Sequence, residues 1–233
     1  MPHLRIDILS AVPQIFESVL STSIISRAVK KEVCEIHVHN LHDYALDRFK
    51  HIDDTPFGGG AGMILQCQPV FDCIEKLKAE RAYDDVIFLT PDGEVLQQEM
   101  VNQFSIAQNL ILLCGHYKGI DQRIRDVLVT KEISIGDYVL SGGELPACVL
   151  VDSIVRIIPG AISDAESALE DSFQDDLLGA PHYTRPAVYR DIEVPKVLLS
   201  GNHAHIKQWR QEQCIKKTKT RRPDLYQKYL NNR

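Results

Sequence analysis

Ile133-Ser-Ile-Gly-Asp-Tyr-Val-Leu-Ser-Gly-Gly-Glu-Leu-Pro146 starts as an apolar strand and turns into a glycine-rich loop. Gly136, Gly142 and Gly143 lack a Cβ, so the backbone there can approach a ligand closely and offer its own N–H and C=O groups. The pattern occurs twice more. Residues 110–114 form an apolar run that empties into Gly115-His-Tyr-Lys-Gly-Ile-Asp121, and residues 86–89 form another that precedes Thr90-Pro-Asp-Gly93. A buried parallel strand reads as a continuous apolar run, and ligands in open α/β sheets bind beyond the carboxyl ends of such strands. Any one of these stretches alone could be a pair of tight turns. Together they predict three strands whose loops line one pocket.

Composition sets the frame around this prediction. A chain of 233 residues with 44% hydrophobic content is long enough to bury a sizeable core as one large domain or two smaller ones. No run of eighteen uncharged apolar residues occurs, and Met1-Pro-His-Leu-Arg-Ile-Asp leads straight into a strand pattern, so a cytoplasmic protein without membrane contact is expected. The six cysteines are scattered singly without a C-x-x-C pair, which predicts reduced thiols and no zinc site. The net charge of −6 is unevenly distributed. Residues 196–233 hold ten Lys or Arg against two Asp or Glu, net +8, which leaves −14 on residues 1–195. A basic segment on an acidic body points to a polyanionic partner at one end.

In chain order, Leu4, Ile6 and Ile8 alternate with charged residues and predict a half-buried strand, followed by Phe16, Val19 and Leu20 at helical spacing. Residues 33–39 alternate again. His37 and His39 would share one face of that strand, where a solvated surface is a simpler reading than a metal site. The run Asp53-Asp-Thr-Pro-Phe-Gly-Gly-Gly-Ala-Gly62 can be neither helix nor regular strand. Helices are expected over 69–80, 96–108 and 146–158, the last with Val149, Leu150, Ile154 and Ile157 facing a core or a partner subunit and Arg156 near its end. Alternating strands and helices argue an α/β fold with a parallel sheet. Residues 161–180 hold six Asp or Glu and no Lys or Arg, a composition break read as a linker between a domain of residues 1–160 and one of residues 181–233. In the second, Ser200 is the expected N-cap of a basic helix over 203–219 whose pattern stops before Pro223.

Leu113-Cys-Gly-His-Tyr-Lys-Gly-Ile-Asp121, Ser134-Ile-Gly-Asp-Tyr-Val-Leu140 and Gly142-Gly-Glu-Leu-Pro146 resemble the bacterial tRNA (guanine-N1)-methyltransferases of the SPOUT superfamily. The resemblance runs over nearly the whole chain. It implies a SPOUT-type α/β fold whose parallel sheet carries a deep trefoil knot, a small α-helical C-terminal domain, and a homodimer acting on tRNA in the cytoplasm. The implied reaction moves a methyl group from S-adenosylmethionine to N1 of the guanine just 3′ of the anticodon, in a guanine-guanine context. Carried over by motif, the cofactor lies among Phe88, Leu89, Thr90 and Pro91 of the first loop and Gly115, Tyr117 and Gly119 of the second. The third loop adds Ser134, Ile135, Gly136, Tyr138, Leu140, Gly142, Gly143 and Pro146. Asp171 is the implied general base for the N1 proton, and Arg156 the donor to the guanine O6, where negative charge develops. Asp53 and Gly62 are placed on the substrate side. Arg185, Lys207, Arg210, Lys216, Arg221 and Arg222 are the basic residues expected to meet tRNA. Mg2+ is used in the resembled family, although no carboxylate cluster here marks a site for it. Lys118 stands where many relatives have Glu, so an acidic contact at that position does not transfer to this chain. A SPOUT enzyme for another RNA base, or an RNA-binding protein without catalysis, are the competing readings.

Overall fold

The computed structural model describes residues 4–162 and 172–232. The chain divides into two compact units, Met1–Ala165 and Glu166–Arg233. The first is built on a five-stranded, wholly parallel sheet of strands β1 (Leu4–Ser10), β2 (Cys34–Asn40), β5 (Asp85–Val95), β6 (Asn109–Cys114) and β7 (Lys131–Ser134) in the order β2-β1-β6-β5-β7. Two short strands, β3 (Asp53–Asp54) and β4 (Ile64–Leu65), pair antiparallel and flank the glycine-rich run.

Both faces of the sheet are covered. On one side Leu4, Ile6, Ile8, Leu110 and Leu112 pack with residues of α1 (Phe16–Leu20), α2 (Ser23–Lys30), α4 (Gln98–Ser105) and α6 (Glu144–Ile157). On the other, Leu9, Ile111 and Leu113 pack with α3 (Cys67–Glu80) and α5 (Gln122–Leu128). The predicted half-buried first strand is therefore corrected: β1 is an interior strand, and Asp7 on its second face is fully buried. The alternation arose because that face carries two charges, Arg5 and Asp7, which pair with each other and with neighbouring side chains. Arg5 donates to Asp7 at 2.7 and 2.9 Å, His39 at 2.7 Å and Tyr83 at 2.7 Å. His39 is thereby committed to a carboxylate, and its strand neighbour His37 faces Glu35.

The run over 86–95 is one strand with an interruption. The pairing of β5 with β7 jumps between Leu89 and Glu94, so Thr90–Gly93 bulge out of the ladder and form the first ligand-capable loop. Gly93 is required there, since a Cβ would lie 2.5 Å from the Glu132 and Ile133 backbone.

In the second unit, a hairpin of β8 (Val188–Tyr189) and β9 (Ile192–Glu193) precedes helices α7 (His203–Arg221) and α8 (Pro223–Asn231). The helix over 203–221 is capped by Asn202, whose side chain accepts from the His205 amide, and not by Ser200, which accepts from the Asn202 amide one turn earlier. Pro223 does stop α7, but it also opens α8, because proline at a first helical position forfeits no hydrogen bond. Residues 172–179 pack onto these helices. Leu177 is buried, the Leu178 amide donates to the Thr218 hydroxyl and Lys217 donates to the Gly179 carbonyl.

Candidate active site

Strands β5, β6 and β7 are neighbours, so their carboxyl ends deliver three loops to one place. The loops wall a cleft of about 360 Å3, within the range of small-molecule sites. All fifteen residues that the motifs assign to the cofactor line it, from Phe88 to Pro146. Residues that no motif assigns to the cofactor also line it, among them Ile64, Asp92, His116, Lys118 and Arg125. His116 and Lys118 belong to the second loop's motif. Arg125 sits on α5 in a sequence context that carries no motif.

The walls are made of backbone wherever a side chain would have closed them. A Cβ on Gly143 would lie 2.8 Å from the Cys114 Cα and the Gly115 nitrogen, and one on Gly115 would lie 2.9 Å from the Phe88 ring. That close approach lets the Gly143 amide donate to the Gly115 carbonyl at 2.7 Å, joining the second and third loops. Gly136 takes φ +144, a conformation a side chain resists, and its amide is held by the Ser134 hydroxyl.

Charge around the cleft is largely neutralised. Arg125 donates to Glu132 at 2.7 and 2.5 Å and to Asp92 at 2.8 Å, and its guanidinium lies over the Phe88 ring 5.5 Å from the centroid. Hydrogen bonds from Thr90 and then Arg125 hold the Asp92 carboxyl below the usual carboxylate range. Burial pushes the Cys114 thiol well up, so the cysteine behind the second loop is an uncharged packing group. Lys118 is different. Among the described residues its ammonium has neither ion pair nor hydrogen bond, although its amide is fixed by the Met63 carbonyl at 2.9 Å.

The substrate-side candidates adjoin the same cleft. The Leu65 amide donates to the Gly119 carbonyl and the Leu65 carbonyl accepts from the Asp121 amide, which docks the β3–β4 hairpin against the second loop. The Lys118 side chain lies along Gly60 and Gly62. Burial, together with the neighbouring Asp53 carboxylate, raises the Tyr117 phenol above its ordinary value. Gly58, Gly59, Gly60 and Gly62 all have positive φ. Arg156 lies elsewhere. It is in the last turn of α6, twelve residues beyond Glu144, about 18 Å at the helical rise, and does not line the cleft. Asp171 lies outside the described residues.

On the second unit, the helical repeat of about 100° per residue puts Lys207, Arg210 and Arg221 on one side of α7 and Lys216 on the opposite side. Arg222 is engaged with Asp224 at 2.5 Å, and Arg185 is exposed beside an apolar groove formed with Pro186, Val194 and Leu198. The basic residues therefore form one exposed stripe plus outliers. Among the described residues no group of three His, Cys, Asp or Glu is arranged to hold a metal, and no helix is long and apolar enough to cross a membrane.

The chain matches the family described as tRNA (Guanine-1)-methyltransferase TrmD over residues 4–228. It is 58% identical over 225 residues to a tRNA (guanine-N(1)-)-methyltransferase of Chlorobium chlorochromatii, covering 97% of each chain. A protein of the same name from Bacteroides thetaiotaomicron is 59% identical over 222 residues, covering 95% of this chain and 99% of its own. Another, from Chlorobaculum tepidum, is 55% identical over 222 residues, covering 95% and 96%.

Proposed function

The chain belongs to the tRNA (guanine-1)-methyltransferase TrmD family, and from that premise we propose that it methylates N1 of a tRNA guanine with S-adenosylmethionine as donor. The observation that carries this reading is the convergence of all fifteen motif-assigned cofactor residues on one cleft. Its walls suit the donor, because at the glycines of the second and third loops the backbone itself forms the wall and no side chain stands in the way. S-adenosylmethionine, when bound, supplies an electrophilic methyl group on a sulfonium. The chain's own part is to hold the guanine in line, to remove the N1 proton and to stabilise the charge that builds on O6.

Asp171 is proposed as the base and Arg156 as the donor to O6. A free Asp, with a pKa of about 3.9, is a weak base at neutral pH, so the assignment requires burial on docking to raise it. The placement of Arg156 supports a homodimer: it lies far along α6 from its own cleft, as a donor supplied to the cofactor of a second copy would. The family's trefoil knot, the guanine 3′ of the anticodon as target, the guanine-guanine context and a cytoplasmic location are parts of the same reading. The exposed stripe of Lys207, Arg210 and Arg221 is the proposed tRNA contact on the second unit.

The test is transfer of labelled methyl to unmodified tRNA transcripts, followed by location of the product base. Methylation at guanine N1 that is lost in Asp171→Ala supports the reaction, and transfer to another atom discards the mechanism. Mixing tests the dimer. Asp171→Ala chains combined with Gly143→Val chains, each inactive alone, regain about a quarter of wild-type activity if each site draws on two copies. No recovery after verified subunit exchange refutes shared sites.

A further inference from the structure

Glu144 is the first residue of α6 and is 2% exposed. A buried carboxylate is costly unless hydrogen-bonded, and the positive end of a helix dipole offsets only part of that cost. One oxygen, Oε1, accepts from the Ser10 hydroxyl at 2.9 Å, which ties the helix to the carboxyl end of β1. The other, Oε2, faces His116 of the second loop, with Nδ1 3.7 Å away. That Nδ1 is itself buried and has no hydrogen-bond partner. His116 also lines the cleft, and its ring meets the Tyr117 ring edge to face, centroids 4.9 Å apart. Gly142 passes directly beside the pair: a Cβ there would run into Oε2 and lie 2.8 Å from Nδ1. A glycine, a carboxylate and an imidazole thus occupy one tight junction between the second and third loops.

A separation of 3.7 Å is just beyond hydrogen-bond length, so a small shift of either loop brings the two atoms within it. We propose that His116 is a positioning residue for the cofactor. With its proton on Nδ1 it donates to Glu144 Oε2 as the cleft fills, so that Ser10, Glu144 and His116 lock the two glycine loops into one wall. The pairing explains why α6 begins with a buried acid and why the second loop carries an imidazole whose inner nitrogen is otherwise unsatisfied. Neither residue has a role in the proposed chemical step. The inference rests on the reading of the cleft as an S-adenosylmethionine site.

Calorimetric titration of S-adenosylmethionine into the full-length protein, with steady-state kinetics on tRNA, tests it. His116→Ala is expected to weaken cofactor binding about tenfold, while kcat at saturating cofactor and the KM for tRNA stay within about twofold. His116→Asn, whose amide can donate from nearly the same point, restores most of that affinity. Glu144→Gln keeps the volume and the Ser10 contact and weakens binding about tenfold, and the double variant His116→Ala/Glu144→Gln is no worse than either single one. Penalties that multiply to about a hundredfold would overturn the proposal, as would Asn performing no better than Ala. A lowered Tm with unchanged cofactor affinity would reduce His116 to a packing role and also overturn it. Should Glu144→Gln fail to fold, the His116 pair of variants decides alone. Failure of the wild type to bind S-adenosylmethionine would refute the reading of the cleft itself, a result distinct from normal wild-type binding with unaffected variants.

Discussion

The amide of Gly143 donates to the carbonyl of Gly115 at 2.7 Å, and a methyl group on Gly143 would strike the Cys114 and Gly115 backbone at 2.8 Å. Gly143 has an ordinary φ of −80, so the need for glycine there is one of space, not of torsion.

Gly143→Ala is expected to cost about 2 kcal/mol by overpacking, a fall in Tm of about 4–8 °C, because the obstructing atoms are backbone and cannot turn aside. Cofactor affinity should fall about tenfold as the second and third loops separate. Gly58→Ala serves as the contrast: its φ of +85 is strained for alanine but nothing lies within 4 Å, so only about 1 kcal/mol of stability is sacrificed. Calorimetry and thermal melts on both variants check the pair, and equal effects on cofactor binding would contradict the spatial account.

Arg125 fastens the bulge of the first loop through Asp92 and the edge strand through Glu132. Arg125→Met should cost about 1 kcal/mol of stability, since the partners keep access to water. Its larger effect is expected on the KM for S-adenosylmethionine, raised several-fold by a loosened loop, with the KM for tRNA unchanged. Steady-state kinetics with each substrate varied in turn separates the two.

Lys118 presents an ammonium without a partner among the described residues, beside Gly60 and Gly62. A phosphate of bound tRNA would meet it there. Lys118→Met is expected to weaken tRNA binding and to lower the slope of log affinity against log salt by about 0.7–0.9, the increment that a single neutralised phosphate supplies. Filter binding across a salt series measures it, and an unchanged slope would leave Lys118 as a solvated side chain.

Asp7 makes stability depend on pH with a definite sign. Burial alone would raise its pKa, but hydrogen bonds from His39, Arg5 and Tyr83 outweigh burial and hold it well below the ordinary range. A group depressed in the folded state stabilises above its unfolded pKa of about 3.9, and that contribution disappears as pH falls from there through the folded value. Asp7→Asn should therefore cost about 3 kcal/mol at pH 7 by leaving the largely buried Arg5 with only its longer ion pair to Glu35, with the gap to wild type narrowing below about pH 4. Urea denaturation at pH 7 and pH 3 tests the narrowing.

Much of the cleft was legible in the sequence because backbone recognition leaves a local signature: an apolar run, then glycine where a Cβ cannot fit. Resemblance extended this to individual residues from Phe88 to Pro146. Arg125 was not legible, because an arginine on a short amphipathic helix looks the same whether it faces water or a loop 33 residues away. The second unit was legible in outline. The basic helix follows from the sequence, but its periodicity had to be projected in space before Lys216 separated from Lys207, Arg210 and Arg221, and α8 was hidden behind a proline that reads as an end.

The sequence by itself determined the five strands of the parallel sheet, the glycine loops and the α/β class. Continuous apolar runs can be satisfied only by burial on both faces, and successive glycines only by backbone that packs too closely or turns too sharply for a side chain. The tertiary structure alone decided which charges meet. Ser10 and Glu144 are 134 residues apart and Tyr83 and Asp7 are 76 apart, yet each pair is within 2.9 Å. Hydrogen bonds act over a few ångströms, and no local periodicity encodes which distant chain segments the sheet order will bring that close.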